Sequence, residues 1–262
     1  MKSIASRQNP IVARYRAAAR GDAADVVLLD GVHLVVEAVE AGIPLHDVAV
    51  VNDATNRGDV KEAIRALVDR GVDFVTVSAS VIDAISPVRS SSPIVALASR
   101  PSNAEARLYR GAAPLVIVAV DVQDPGNVGA IVRVADAAGA TGVVAAGASA
   151  DPLGWKALRG SMGSALRLPL TSAPDAGAAV AGARRHRCRI VATVARGGRS
   201  LFEADFTGAV AILIGGEGAG LPASIVDDAD ERVTIPMQPP VESLNAAVTA
   251  ALVVYEARRQ RR

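Results

Sequence analysis

Three stretches of this sequence place polar side chains where an apolar, strand-like segment gives way to a turn. The first carries Asn127 and Arg133, the second surrounds Glu217 with glycines, and the third contains Ser243 and Asn245. Amide, carboxylate, hydroxyl and guanidinium groups can orient a polar substrate and stabilise negative charge that develops on an oxygen atom. These five residues are the candidates for chemistry, and their value depends on the elements that position them.

The first stretch follows an apolar segment at residues 115–120. Pro125 and Gly126 predict a turn, after which Asn127 is expected to cap a helix. Arg133 lies under two turns further on among apolar neighbours, so it is the lone charge in a helix that looks buried. A structural ion pair with an aspartate explains such an arginine as well as a functional role does.

The second stretch places Gly215, Gly216, Gly218 and Gly220 around Glu217. The spacing matches neither the phosphate-binding loop that ends in Lys-Ser/Thr nor the dinucleotide fingerprint. Glycines at these positions let the backbone approach a ligand closely, or they only make a sharp turn. Taken alone, they favour the turn.

The third stretch, residues 235–245, contains three prolines, which belong neither in a helix interior nor in a central strand. It leads from a short apolar strand into an alanine-rich helix that begins at Asn245. Ser243 and Asn245 therefore lie where polar side chains and free backbone N–H groups point at the strand end. The loop is either a plain helix cap or one wall of a site.

Strand-like and helix-like segments alternate along the chain, which predicts an α/β fold. Residues 1–99 are expected to form a small α/β sandwich domain, residues 100–114 a linker, and residues 115–262 a domain with a mostly parallel sheet. The predicted strands are 26–29, 48–51, 74–77, 94–98, 115–120, 142–145, 189–194, 210–214 and 232–235. The predicted helices are 33–41, 59–70, 127–138, 175–183, 222–227 and 245–259. Ligands of parallel sheets bind beyond the carboxyl ends of the strands, where the three polar stretches lie.

The 262-residue chain is 50% hydrophobic but only 3% aromatic, so its core must consist mainly of Ala, Val, Leu and Ile. Its apolar runs are too short to span a bilayer or to form a signal peptide, and the single Cys188 excludes an intrachain disulfide. These features predict a cytoplasmic protein without a membrane segment. His33, His46 and His186 lack partners at metal-ligand spacing, so no metal site is expected.

The net charge of +1 points to no particular partner, but the arginines are clustered. Arginine favours bidentate contacts with phosphate, although solvated surfaces and a GC-rich genome explain such clusters as well. The clusters are Arg7, Arg14, Arg16 and Arg20; Arg184, Arg185, Arg187 and Arg189; and Arg258, Arg259, Arg261 and Arg262.

Taken together, the three stretches resemble the motifs of the SpoU/TrmH family of RNA 2′-O-ribose methyltransferases, in the SPOUT superfamily. The first motif matches Asn127, Gly129 and Arg133, the second matches the glycine-rich loop around Glu217, and the third matches Ile235-Pro236-Met237 with Ser243-Leu244-Asn245. Their order and spacing fit over residues 115–259. More loosely, residues 6–10 and 30–35 resemble the family's small RNA-binding domain, which is akin to a ribosomal-protein fold.

The resemblance implies a C-terminal SPOUT (α/β-knot) domain with a deep trefoil knot, S-adenosylmethionine bound among the knotted loops, and a homodimer with active sites near its interface. The residues implied to contact the cofactor are Gly215, Gly216, Gly220, Ile235, Met237 and Leu244. The residues expected to bind RNA through the N-terminal domain are Arg7, Asn9, Arg14, Arg16 and Arg20.

The implied reaction is methyl transfer to a ribose 2′-hydroxyl in structured RNA, with 23S ribosomal RNA favoured over tRNA. The implied catalytic residues are Arg133, Asn127, Glu217, Ser243 and Asn245. Because a guanidinium has no basic form near neutral pH, Arg133 is better suited to clamp the ribose and its phosphate than to act as a base. Asn127 and Glu217 are expected to orient Arg133 or the substrate, while Ser243 and Asn245 hold the loop and the hydroxyl. A non-catalytic RNA-binding or ribosome-assembly factor and an antibiotic-resistance methyltransferase remain as alternatives.

Overall fold

The computed structural model describes residues 3–102 and 105–262. Within these ranges the strands are β1 (Ser3–Ile4), β2 (Val26–Asp30), β3 (Leu45–Val51), β4 (Val75–Val77), β5 (Ile94–Ser99), β6 (Leu115–Val120), β7 (Gly142–Ala146), β8 (Leu170–Ala173), β9 (Arg189–Thr193), β10 (Arg199–Ser200), β11 (Val210–Gly215) and β12 (Glu231–Thr234). The helices are α1 (Pro10–Arg20), α2 (Val32–Glu40), α3 (Gly58–Asp69), α4 (Ala79–Ile85), α5 (Glu105–Leu108), α6 (Pro125–Ala138), α7 (Trp155–Ser161), α8 (Ser164–Arg167), α9 (Ala176–Arg185), α10 (Ala223–Asp228) and α11 (Ala246–Gln260), with a 3₁₀ turn at Asn52–Ala54. Residues 1 and 2 of the predicted first domain and residues 103 and 104 of the predicted linker lie outside the described part.

The strands and helices predicted from the hydrophobic pattern are all present, with ends shifted by no more than three residues. The pattern does not predict α1, α4, α5, α7, α8, β1, β8 or β10. Most of these elements are too short to show a hydrophobic period, and β1 and β10 have two residues each.

One compact unit comprises the residues up to Pro101 together with the later segment Leu153–Arg167. Its five-stranded sheet has the order β1-β4-β3-β5-β2, in which β5 runs antiparallel to both β3 and β2. Tyr15 on α1 is fully buried in the core of this unit, and its hydroxyl lies 3.2 Å from the Val95 carbonyl oxygen. The segment that begins at Leu153 adds Trp155, which packs against the same core. The unit is a small α/β domain, as predicted.

The second compact unit comprises Ser102–Pro152 and Leu168–Arg262. Its seven-stranded sheet has the order β10-β12-β9-β11-β6-β7-β8, and every neighbouring pair is parallel. All six residues of β6 are buried, as is typical of a strand covered on both faces. The predicted α/β class with a mostly parallel sheet is confirmed; the trefoil knot stays a prediction.

Leu108 and Tyr109, in the predicted linker, belong to the core of the second unit. Leu108 is fully buried, Tyr109 is largely buried, and a Cβ added to Gly142 would lie 2.7 Å from Leu108 Cγ. The domain boundaries at residues 99 and 115 stay predictions.

The sheet order explains how distant stretches of sequence meet. Strands β12, β9, β11 and β6 are consecutive in the sheet, and parallel strands present their carboxyl ends at one edge. The three polar stretches follow β6, β11 and β12, so they converge at that edge. In the described residues, no helix is long and apolar enough to cross a membrane.

Candidate active site

Helix α6 positions Asn127 differently from the prediction. The helix begins at Pro125, and Asp124 caps it by accepting a hydrogen bond from the Asn127 backbone N–H over 2.9 Å. The prediction that Asn127 caps the helix is therefore wrong. A proline has no N–H to satisfy at the first helical position, so the helix can start one turn earlier, with the Asp124 carboxylate as cap. This leaves the side-chain amide of Asn127 available for other contacts.

The glycine-rich loop after β11 folds back on itself. Gly216 and Gly220 form an antiparallel bridge, and a Cβ on Gly215 would lie only 2.5 Å from the Gly220 carbonyl carbon. A Cβ on Gly216 would overlap the carbonyl oxygen of Asp121 at the end of β6. Glycine is therefore required at Gly215 and Gly216 by close backbone packing, and the loop brings Glu217 towards α6.

Asn245 caps helix α11. Its Oδ1 accepts hydrogen bonds from the backbone N–H groups of Ala247, over 2.9 Å, and Val248, over 3.3 Å. The alternative in which the third stretch caps a helix is therefore correct for Asn245. Capping uses only the oxygen of the side-chain amide. The nitrogen remains free to donate elsewhere.

The side chains of Asn127, Glu217 and Asn245 form one hydrogen-bonded cluster. Asn127 Nδ2 donates to Glu217 Oε1. Asn245 Nδ2 lies 3.1 Å from Asn127 Oδ1 and 3.4 Å from Glu217 Oε1. One residue of each predicted motif takes part, so the fold brings all three motifs into direct contact.

A cavity of about 640 Å³ opens beside this cluster, at the carboxyl edge of the parallel sheet. That volume lies within the usual range for a small-molecule or cofactor site. Its lining comes from the ends of β9, β11 and β12, from α10 and from the start of α11. The lining residues are Thr193, Val194, Ala195, Ile214, Gly215, Gly216, Glu217, Gly218, Ala219, Gly220, Leu221, Val226, Val233, Ile235, Met237, Ser243, Leu244, Asn245, Ala246 and Thr249.

The six residues predicted to contact the cofactor all lie in this lining: Gly215, Gly216, Gly220, Ile235, Met237 and Leu244. Glu217, Ser243 and Asn245 lie there as well. The backbone of the loop and the apolar side chains of Ile235, Met237 and Leu244 provide surfaces for a flat, partly polar ligand. Their individual roles stay predictions.

Sequence reasoning does not predict the part of the wall formed by Thr193, Val194 and Ala195, at the end of β9 and just after it. These residues carry no distinctive chemistry. They reach the cavity because β9 lies between β11 and β12 in the sheet, and this strand order cannot be read from the sequence.

Arg133 lies outside the cavity lining. Helix α6 buries Val128, Ile131 and Val132, but the Arg133 side chain is exposed, so the interpretation of Arg133 as a charge in a buried helix is wrong. The helix has one buried and one solvent-facing side, and Arg133 lies on the latter. Within residues 3–102 and 105–262 its guanidinium makes no hydrogen bond or ion pair, so the predicted alternative of a structural ion pair is not seen.

The arginines near the N-terminus lie on α1 or beside it in the first unit. Arg7 Nε donates to the Ser80 carbonyl oxygen over 2.8 Å and Arg16 Nε to that of Ala84 over 3.0 Å. Arg14 pairs with Asp47 at 2.8 Å, and Arg20 pairs with Asp22 at 2.7 Å. Asn9 caps α1 by accepting from Ile11 N. All four arginines are at least half exposed or lie in exposed contacts, so charge remains available at this surface.

In the described part of the chain, no group of three or more His, Cys, Asp or Glu side chains is arranged to hold a metal ion. Cys188 is buried, and burial raises the pKa of its thiol to about 11. Burial also raises the pKa of Tyr109 to about 12, and its ring stacks on His186 with centroids 4.3 Å apart. Tyr109 and Cys188 both belong to the hydrophobic core of the second unit.

Comparison with known proteins identifies the family. The SpoU rRNA Methylase family matches residues 114–255, and the N-terminal domain of thiostrepton-resistance methylases matches residues 1–110. An uncharacterized tRNA/rRNA methyltransferase of Mycolicibacterium smegmatis is 34% identical over 261 residues, which cover 95% of this chain and 81% of that protein.

Two further proteins are similar over nearly the whole chain. The 23S rRNA (guanosine(2553)-2′-O)-methyltransferase RlmP of Bacillus subtilis is 29% identical over 231 residues, 88% of either protein. The crystal structure of the SpoU methyltransferase AviRb from Streptomyces viridochromogenes, in complex with the cofactor AdoMet, matches with a TM-score of 0.86 and 29% identity, over 97% of this chain and 98% of that one. The chain thus belongs to the SpoU rRNA methylase family, as its three motifs predict.

Proposed function

We propose that this chain transfers the methyl group of S-adenosylmethionine to a ribose 2′-hydroxyl in 23S ribosomal RNA. Family membership confirms the predicted enzyme class, an RNA 2′-O-ribose methyltransferase, and S-adenosylmethionine as its cofactor. The observation that carries the proposal is the hydrogen-bonded cluster of Asn127, Glu217 and Asn245, in which Glu217 and Asn245 line a cofactor-sized cavity.

The residues of the cavity fit the cofactor. Ile235, Met237 and Leu244 offer apolar contacts for an adenine ring, and the loop around Gly215 offers backbone donors and acceptors for its polar edge and the ribose. Glu217 places a carboxylate at the same wall, which suits a positively charged ligand. When bound, S-adenosylmethionine supplies an electrophilic methyl group on a sulfonium.

The chain's own groups must hold the ribose hydroxyl in line with that methyl group. Positioning of this kind in a dry pocket lowers the barrier substantially. As the bond between the 2′-oxygen and the methyl carbon forms, the carbon–sulfur bond breaks with its electron pair on sulfur, and the hydroxyl proton passes to a substrate phosphate or to water. Partial negative charge develops on the oxygen because its proton leaves before the new bond is complete. Arg133, which stays protonated, would clamp the ribose and phosphate and stabilise this charge. The Ser243 hydroxyl and the Asn127–Glu217–Asn245 cluster would orient the hydroxyl and hold the loops.

RNA binding by the first unit completes the proposal. Arg7, Asn9, Arg14, Arg16 and Arg20 lie on α1 or just before it and would contact the phosphates and 2′-hydroxyls that structured RNA presents. Because ribosomal RNA would be its substrate, we expect the enzyme to act in the cytoplasm. The S-adenosylmethionine pocket would lie among the loops of a trefoil knot.

We also assign a homodimer. Val248, Leu252 and Tyr255 on α11 are 47%, 42% and 50% exposed, and their spacing of four and three residues places them on one helix face. A second copy packed on this face would cover apolar surface that a monomer exposes. Sedimentation of the wild-type protein should give a dimer and that of Tyr255→Arg a monomer; a monomeric wild type at micromolar concentration would contradict the assignment.

The test of the function is a map of 2′-O-methylated positions in RNA from cells with and without this gene. One 23S rRNA position should lose its methyl group when the gene is absent and regain it when the gene is restored. Loss confined to a tRNA position would replace the proposed substrate. An unchanged map together with altered ribosome assembly would favour a non-catalytic assembly factor, and drug sensitivity that follows the lost methyl group would indicate a resistance role.

A further inference from the structure

Asp121, the first residue after β6, has an unusual backbone conformation. Its φ is 55°, in the left-handed region that favours glycine. Asp121, Met162 and Arg187 are the residues other than glycine in the described part of the chain with a positive φ. Aspartate tolerates this conformation better than most side chains, but the fold around it must hold it there.

The carbonyl group of Asp121 packs directly against the glycine-rich loop. A Cβ on Gly216 would overlap the Asp121 carbonyl oxygen and lie 2.7 Å from its carbonyl carbon. Gly216 lines the cavity and is followed by Glu217. The left-handed turn at Asp121 therefore determines how closely the second motif approaches the end of β6.

The carboxylate of Asp121 fixes the same turn from the other side. Its Oδ1 accepts a hydrogen bond from the Ala148 backbone N–H over 2.8 Å, in the loop that follows β7. Ser149 adds two bonds, because its Oγ accepts from Val122 N over 2.9 Å and donates to the Ala119 carbonyl oxygen over 3.0 Å. The loop after β7 thus holds the β6–α6 turn through three neighbouring hydrogen bonds.

This turn leads into the active-site cluster. Asp124 caps α6 three residues later, and Asn127 in the first turn of that helix donates to Glu217. Asp121 touches the second motif through its carbonyl group and anchors the first motif through its carboxylate. Asp121 itself lies outside the cavity lining.

We propose that Asp121 is a positioning residue that sets the distance between the first and second motifs and thereby the shape of the cofactor cavity. This inference rests on the proposed function. It assigns Asp121 no contact with substrate or cofactor and no proton transfer. Its effect should appear first in cofactor affinity and only then in turnover.

Three substitutions separate the backbone requirement from the side-chain requirement. Asp121→Asn keeps both the tolerance of a positive φ and an oxygen that can accept from Ala148, so it should bind S-adenosylmethionine as the wild type does. Asp121→Gly keeps the backbone conformation and loses the anchor, so the calorimetric Kd should rise about fivefold, as expected for one lost hydrogen bond. Asp121→Ala loses both the tolerance of a positive φ and the hydrogen bond from Ala148, so it should weaken S-adenosylmethionine binding further.

Arg187→Gly is the matched control, because Arg187 also has a positive φ, 58°, and is exposed. It should leave the Kd unchanged. Thermal unfolding of each variant reports whether the protein is folded. Asp121→Asn tests whether an oxygen acceptor at this position is enough to keep the wild-type Kd. A purely structural role would lower the Tm of Asp121→Gly without changing the Kd of the folded protein.

The positioning role is overturned if Asp121→Gly and the wild type bind S-adenosylmethionine equally well. It is also overturned if Asp121→Asn is as weak as Asp121→Ala. Failure of the proposed function has a different signature, since the wild type itself would then methylate no RNA, whatever its Kd for S-adenosylmethionine.

Discussion

Asn245 Nδ2 lies 3.1 Å from Asn127 Oδ1, although 118 residues separate the two in sequence. The same Asn245 side chain caps α11 through its oxygen. One amide therefore holds the start of a helix and the first motif of the site together. Its two functions use different atoms, so they can be separated by substitution.

Asn245→Asp should keep the cap and lose the contact. A carboxylate accepts from the α11 N–H groups and suits a helix N-terminus, but it cannot donate to Asn127 and it repels Glu217. We expect a Tm near that of the wild type and a methylation rate at least about tenfold lower. Asn245→Ala should lower both the Tm and the methylation rate, since it removes the contact with Asn127 and also the helix cap, which is worth about 1 kcal/mol of stability. Gln238→Ala, in the same exposed loop, is the control; full activity in Asn245→Asp would show that the donor is unnecessary.

Arg133→Ala should reduce kcat about 100-fold to 1000-fold, because it removes the positive charge proposed to stabilise the ribose oxygen. The calorimetric Kd for S-adenosylmethionine should not change, since Arg133 lies outside the cavity lining. Arg133→Lys should recover only part of the rate, because lysine lacks the planar fork. Arg262→Ala controls for the loss of an exposed positive charge, and unchanged turnover in Arg133→Ala would remove Arg133 from the catalytic residues.

Replacing Arg7, Arg16 and Arg20 with Gln should weaken RNA binding. A plot of the logarithm of the RNA association constant against the logarithm of the salt concentration should also become less steep, by about two units of slope. Substitution is preferable to deletion of the first residues, because the buried Tyr15 lies in α1 and its loss would disrupt the core. The matched control carries Gln at Arg57, Lys61 and Arg65, which removes the same charge at or on α3. Equal loss in both triple variants would mean that charge alone, and not this surface, determines affinity.

Cys188 should resist alkylation in the native protein. Burial raises its pKa from 9.0 to about 11, so the fraction of reactive thiolate at pH 8 falls about 100-fold. Labelling with iodoacetamide should be correspondingly slower in buffer than in denaturing urea, and the native rate should rise with pH towards 11. Equal native and unfolded rates at pH 8 would show that the thiol is accessible and ionises normally.

The sequence was sufficient to predict the parts of the fold that depend on local pattern. Continuous apolar runs identified β6 and β11, and the motifs identified Asn127, Glu217 and Asn245, which the structure places in contact. Asp124 and Asn127 are both good caps, and the signal in the sequence that favours Asp124 is Pro125, because proline is preferred at the first helical position.

Non-local contacts account for what could not be predicted. The order of strands in the sheet places the residues after β9 in the cavity wall, and the segment 153–167 joins the first unit although it lies between strands of the second. The exposure of Arg133 also depends on which side of α6 is covered, and a run of apolar neighbours could not show it.

The most direct test of the central claim is methyl transfer by the purified protein. The protein would be incubated with S-adenosylmethionine that carries a deuterated methyl group and with ribosomal RNA from cells that lack the gene. The RNA would then be digested to nucleosides and analysed by mass spectrometry. We predict a single labelled 2′-O-methylnucleoside, located in 23S rRNA. Label found only on a base, or no label from a protein that binds S-adenosylmethionine, would contradict the account.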